Sequence, residues 1–288
     1  MHSHRVFAKL IELHDLPTLP QIVSKLLEAV EDERSSADDV TALLETDHVI
    51  SARVLRLANS AYYGLRHRVD SIRRAVVVLG FDAVCQLALA TSVFKTFSSQ
   101  RQFALDPQDF WMHAFGTAKA AQLLCHGQVK VHSPEGCFTA GLLHDMGKYL
   151  LALALRDEYR TVVRQSADRK IPLRECEKER LGVNHAEVGR WLAAKWRFPS
   201  LIVEVIGNAH RPPTPKRRHA VEIAVVQLAE TLARQAGFGD AGDWETPVID
   251  GHLLEFLSMT SPQADGLLKQ LAEVRADTRD FLDLMETE

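Results

Sequence analysis

Apolar residues recur along this chain at intervals of three and four, the spacing of helices with one buried face, and convincing strand alternation is absent. Ile22, Leu26, Leu27 and Val30 line one side of a first helix after Leu16-Pro17-Thr18-Leu19-Pro20. Ser36 with Asp39 has the form of a capping box, and Val40, Leu43 and Leu44 follow as its apolar stripe. Asp47 is placed to cap the next helix, where Ile50, Val54 and Leu57 repeat while Arg53 and Arg56 fall off the stripe. Asn59-Ser60 and Gly64 close that helix. Ser71 opens another, from Ile72 to Leu79, and Gly80 stops it. Asp82 is expected to cap a long apolar helix through Val84, Leu87, Thr91 and Phe94.

The polar stretch 98–106, ahead of Pro107, predicts a boundary. Beyond it the pattern predicts helices over 110–125, 135–155, 158–167, 173–181, 185–195 and 199–210. Arg211-Pro212-Pro213-Thr214-Pro215 must then break the chain, because proline removes a donor and clashes with the preceding turn. A further helix is expected over 220–235, a loop with three glycines over 237–247, and two weaker amphipathic segments in the tail. The expectation is an all-α protein with an N-terminal helical lobe (1–105), a helical bundle (106–236) and a C-terminal helical extension (237–288).

Composition narrows the function classes. With 288 residues, 46% apolar and 25% charged, the chain suits a soluble globular protein with a substantial core. A formal net charge of -4 argues against a broad basic face for nucleic acid, and Lys216-Arg217-Arg218 reads as a solvated turn. No apolar run reaches the roughly 18 residues that a membrane crossing needs. Met1-His2-Ser3-His4-Arg5 leads into an amphipathic stretch rather than a signal-peptide core. Cys85, Cys125, Cys137 and Cys176 are scattered, which predicts reduced core thiols and a cytoplasmic address. A Cys125–Cys137 disulfide is the alternative.

The densest chemistry lies in Gly141-Leu142-Leu143-His144-Asp145-Met146-Gly147-Lys148. An imidazole and a neighbouring carboxylate can both reach a cation above the groove between them, and such donors suit Zn, Fe or Mn. On a continuous helix His144 and Lys148 share a face, so the lysine is placed to meet an anionic ligand. The plainer reading is a buried polar pair that anchors backbone. His113, His185, His210 and Glu230 stand on separate predicted helices or at their ends. Each alone is an ordinary core or surface residue, but together they could converge inside a bundle.

In sequence order these stretches resemble the HDOD family, a bacterial signalling branch of the HD superfamily of metal-dependent phosphohydrolases. The resemblance is carried by Leu16-Pro17-x-Leu19-Pro20, by Arg53 through Gly64, and by Ser71-Ile72 through Ala75 to Leu79-Gly80. It continues in Phe110-Trp111-x-His113, Gly141 through Lys148, His185-Ala186-Glu187-Val188-Gly189, Trp196-x-x-Pro199 and His210-x-Pro212, and reaches to about Gln235. It implies a small helical lobe packed on an HD-like bundle.

HD enzymes bind metal through an early His, the His-Asp pair and a late Asp, and the HD-GYP phosphodiesterases of cyclic di-GMP add further histidines. The resemblance thus makes His113 the early ligand, His144 and Asp145 the pair, and His185 and His210 the added histidines, with Lys148 toward phosphate. The late aspartate position holds Glu230, one methylene longer, which moves a carboxylate by roughly 1.5 Å. Where a His-His pair is expected the chain has Ala209-His210, and Arg211-Pro212-Pro213 stands where HD-GYP enzymes carry Gly-Tyr-Pro.

The implied role is a non-catalytic signal-transduction module with a divalent metal site (Fe, Mn, Zn or Mg), acting on a signalling partner or a small nucleotide-like ligand. A metal-dependent phosphohydrolase of nucleotides or cyclic dinucleotides is the alternative. No receiver, GGDEF or EAL stretch is recognisable, so input is expected from another chain or a small ligand. Neither nucleic acid nor membrane is expected as a partner. Asn59, Ser60, Tyr62 and Tyr63 read first as a helix end anchored by side-chain hydrogen bonds.

Overall fold

The computed structural model describes residues 2–12, 21–31, 34–60, 63–98, 105–244 and 247–286, and among them all regular structure is helical. Among the described residues fifteen helices follow one another, beginning with α1 (His2–Glu12), α2 (Gln21–Glu31), α3 (Ala37–Glu45), α4 (His48–Ala58) and α5 (Ile72–Leu79). Next come α6 (Phe81–Ser98), α7 (Pro107–Gly127), α8 (Pro134–Leu143), α9 (Met146–Arg169) and α10 (Leu173–Leu181). The last are α11 (His185–Lys195), α12 (Ser200–Gly207), α13 (Ala220–Gln235), α14 (Gly251–Phe256) and α15 (Ser261–Glu286). No described helix is long and apolar enough to cross a membrane.

Contacts divide the chain into two units. The smaller comprises 17–99, 196–199 and 276–288, the larger 1–16, 100–195 and 200–275. A division at 105 and 236 therefore differs from the observed one. Helix α1 belongs to the larger unit, and residues 237–275 join that unit instead of forming a separate extension.

In the smaller unit α6 is buried continuously from Val84 to Phe94, with α2, α4 and α5 packed around it. A helix surrounded on every side needs no polar face, and between Val84 and Phe94 the polar residues are Gln86, Thr91 and Ser92, all buried. The caps form as the sequence predicts. Ser36 and Asp39 complete the capping box, Asp47 accepts from the Val49 and Ile50 amides at 3.0 Å, and Ser71 caps α5. Gly80 ends α5 with φ at 91°. Asp82 does not cap α6; the helix starts one residue earlier, at Phe81, and Asp82 lies in its first turn. Asn59 pairs through both amide groups with the backbone of Val69, at 2.8 Å each, which ties the end of α4 to the chain leading into α5. Residues 16–20, Ala61, Tyr62 and the side chains of Leu27 and Val30 lie outside the described residues.

In the larger unit α7 packs against α8 and α13, α9 against α10 and α11, and α12 against α8 and α11. Close approaches are made at glycines. An added methyl at Gly141 would stand 3.1 Å from the Ala118 Cα of α7, and one at Gly147 would run into the His185 carbonyl oxygen of α11. The single helix expected over 135–155 is in fact two. Helix α8 ends at Leu143, His144 and Asp145 form a turn, and α9 restarts at Met146. All four cysteines are free thiols, so Cys125 and Cys137 are not bridged.

Candidate metal centre

The break between α8 and α9 decides how the His-Asp pair is presented. His144 keeps helical backbone angles, whereas Asp145 sits at φ -99°, ψ 6° as the N-cap of α9 and makes no side-chain capping bond. Its carboxylate is thereby left for other partners. His144 donates Nδ1–H to the Gly141 carbonyl at 2.7 Å, which fixes the ring and turns Nε2 toward His113 and Asp145.

Around this turn the larger unit gathers all six of the candidate ligands in two groups. His113 from α7, His144 and Glu230 from α13 form one; Asp145, His185 at the start of α11 and His210 after α12 form the other. Within each group the donor atoms lie within 4.8 Å of one another. Asp145 faces both. Its Oδ2 is 3.3 Å from His144 Nε2 and 3.6 Å from His113 Nε2, while Oδ1 is 3.5 Å from His185 Nε2. The His113 and His144 Nε2 atoms are 3.3 Å apart, and those of His185 and His210 2.6 Å. Glu230 Oε2 is 3.8 Å from His210 Nδ1.

Lys148 departs from the expected arrangement. Because the helix is broken, it is paired with Asp145 instead of standing over His144. It is fully buried, and Nζ lies 2.8 Å from Asp145 Oδ2 and 2.8 Å from Asp243 Oδ2. Asp243 comes from the segment after α13. Phe238 in that segment is wholly buried and fills the space that a β-carbon at Gly116 of α7 would need. Gly239, at φ +57°, lies so close to α7 that a side chain there would strike the Asp109 carbonyl oxygen. Trp244 Nε1 donates to the Ile171 carbonyl at 2.8 Å. The segment thus lies across α7 and delivers Asp243 to Lys148.

The charges follow from this geometry. Burial alone would lower the Lys148 ammonium, but Asp145 and Asp243 outweigh it and raise it. Burial would raise Asp145, yet His144 and Lys148 hold it well below the usual carboxylate range. Asp243 is likewise held down by Lys148 against its burial. Burial and the neighbouring His144 lower His113 to about 3, and burial with His185 lowers His210 well below the ordinary imidazole value. His144 is raised, because Asp145 overcomes its burial. Glu230 is raised chiefly by burial.

The residues fit a divalent ion. Among the described residues Asp145 Oδ1 and His113 Nδ1 are buried without a hydrogen-bond partner, a costly state for polar atoms that a cation beside the carboxylate would relieve. Two imidazoles and a carboxylate in each group suit Fe, Mn or Zn better than Mg, which favours an all-oxygen shell.

Sequence reasoning missed Glu177, Tyr159 and Asp243. Glu177 of α10 is wholly buried and accepts from Tyr159 Oη at 2.7 Å and from His185 Nδ1 at 2.7 Å. A signal for it existed: Leu173, Cys176 and Leu181 form the buried face of α10, and Glu177 falls on the same face. Asp243 had no such signal, since it lies in an irregular segment.

The HDOD domain family pattern matches residues 16–212. The chain belongs to the HDOD family. Among solved structures, this HDOD chain is similar to an HDOD domain protein of unknown function from Geobacter sulfurreducens, at 25% identity and TM-score 0.79, with 99% of this chain and 96% of that one covered. It is also similar to a protein from Shewanella amazonensis described as a candidate phosphohydrolase, at 28% identity and TM-score 0.75, with 99% of both chains covered. An uncharacterized protein of Treponema pallidum is 25% identical over 253 residues, 87% of this chain and 48% of that protein. The HDOD chain thus spans about half the length of that relative.

Proposed function

We propose that this HDOD chain is a cytoplasmic regulatory module of bacterial signal transduction. In this reading it holds divalent metal at the groups that share Asp145 and responds to a signalling partner or a small anionic, nucleotide-like ligand without turning it over. One observation carries the reading: Lys148, the cation expected from the sequence to meet a phosphate, is wholly buried and already clamped between Asp145 and Asp243. A ligand phosphate would have to displace the chain's own carboxylate before it could be held. Within the centre, Asp145 would join the two groups, His144 and His185 would offer Nε2, and Lys148 would hold the Asp145 carboxylate in place. A divalent ion bound there would supply Lewis acidity.

A metal-dependent phosphohydrolase is the second reading. It is favoured by the convergence of all the ligand-type residues and by the likeness to the Shewanella protein described as a candidate phosphohydrolase.

Elemental analysis of protein purified without chelator, followed by phosphate-release assays on nucleotides and cyclic dinucleotides, separates the two. The regulatory reading expects bound metal and no turnover above that of Asp145→Ala. Turnover abolished by Asp145→Ala would establish the hydrolase instead. Protein that takes up no Fe, Mn or Zn would remove the metal centre from both.

A further inference from the structure

Glu177 sits where a structural carboxyl would be expensive, at zero exposure on an otherwise apolar helix face. Three donors converge on it. Tyr159 Oη donates to Oε1 at 2.7 Å, while the His185 amide and His185 Nδ1 reach Oε2 at 2.8 and 2.7 Å. The amide bond alone would suffice to cap the start of α11, as a side-chain acceptor does at many helix N-termini. The bond to Nδ1 adds nothing to capping. It does fix the ring, because an Nδ1–H held by Glu177 leaves the lone pair of a neutral imidazole on Nε2, which lies 3.5 Å from Asp145 Oδ1 and 2.6 Å from His210 Nε2. Tyr159 in turn holds the other Glu177 oxygen, so the carboxyl cannot rotate without losing a bond to one side or the other.

We propose that Glu177, braced by Tyr159, is a positioning residue of the centre: it sets the tautomer and direction of His185 and so presets the Asp145, His185 and His210 group to receive a cation. The second half of this statement rests on the metal-centre reading above; the first half does not. Partners that hold the far nitrogen of a ligating imidazole govern affinity in this way, by orientation and by raising the basicity of the donor nitrogen.

The test combines imidazole ¹⁵N shifts of the metal-free full chain with titration by manganese(II) alone, with His185 assigned by difference from His185→Gln. Wild-type His185 is expected as the Nδ1–H tautomer. Glu177→Met, which deletes the acceptor, should lose that tautomer preference and weaken manganese binding by about 10–100-fold. Glu177→Gln, which keeps an acceptor oxygen, should retain the tautomer and recover most of the affinity. A wild-type His185 found as Nε2–H, or a Glu177→Met variant with unchanged tautomer and affinity, would overturn the proposal. Should Glu177→Met not fold, the wild-type tautomer together with Glu177→Gln decides it. Wild-type protein that ignores manganese counts against the metal centre, and the tautomer then judges the positioning role by itself.

Discussion

In the group of Asp145, His185 and His210, the far nitrogen of His185 is held by Glu177, Glu177 by Tyr159, and Asp145 is paired with Lys148, itself paired with Asp243. In the group of His113, His144 and Glu230 the support is thinner. His144 is anchored to Gly141, but His113 Nδ1 has no hydrogen-bond partner among the described residues, and Glu230 lies 3.8 Å from His210 and 3.9 Å from Arg234. Both groups draw on the same donor types, so the ligand atoms do not explain the difference. What surrounds them does: His185 is held by a chain of side-chain hydrogen bonds, and His113 has no such chain among the described residues.

The largest expected effect tests what the halves share. Asp145→Ala should abolish metal retention in both and destabilise the chain by about 3–5 kcal/mol in urea unfolding, because a buried ammonium loses a partner. Metal retained at either group would show that Asp145 does not join them. Stripping metal with a chelator should cost about 2.7 kcal/mol if the ion was present at 100 times its dissociation constant. Hydrogen exchange should then rise around His113 on α7 more than around Glu177 on α10; an even rise would erase the proposed contrast.

Gly147→Ala strikes the other half, since the added methyl meets the His185 carbonyl. Destabilisation by about 1–3 kcal/mol is expected, with ring shifts at His185 and His210 exceeding those at His113 and His144. The smallest effect concerns the Lys148–Asp243 pair. Asp243 lies below its ordinary value, so its contribution is present above the unfolded carboxyl value of about 4 and is lost as pH falls through the folded one. Lys148 lies above its ordinary value, so its contribution holds below about 10.4 and is lost as pH rises through the folded one. The stability gap between wild type and Asp243→Asn should therefore be on the order of 1 kcal/mol and flat from pH 5 to 9, and should close in acid. A gap that grows on acidification would contradict the pairing.

Much of this is legible in the sequence alone. The helices 173–181, 185–195 and 220–235 have the bounds that periodicity predicts: Gly182 stops the first, Asn184 caps the second and Gly237 follows the third. The break at His144–Asp145 was not legible. The apolar pattern runs through it, no proline or glycine falls at the turn itself, and the backbone departs from helical at Asp145 alone. That departure moves Lys148 away from the role a continuous helix would give it. The resemblance named six residues that the fold brings together, a convergence no local spacing encodes. Asp243 lies 95 positions from its partner, and only tertiary packing could reveal the pair.

Position 116 has a reach out of proportion to its size. Phe238 occupies the notch that glycine leaves there, and the charge that quiets Lys148 hangs on the same stretch of chain a few residues later. One extra carbon on α7 would evict the ring and slacken the segment behind it, leaving the ammonium to Asp145 alone, so a missing methyl on one helix acts as the latch for half of the grip on a buried charge.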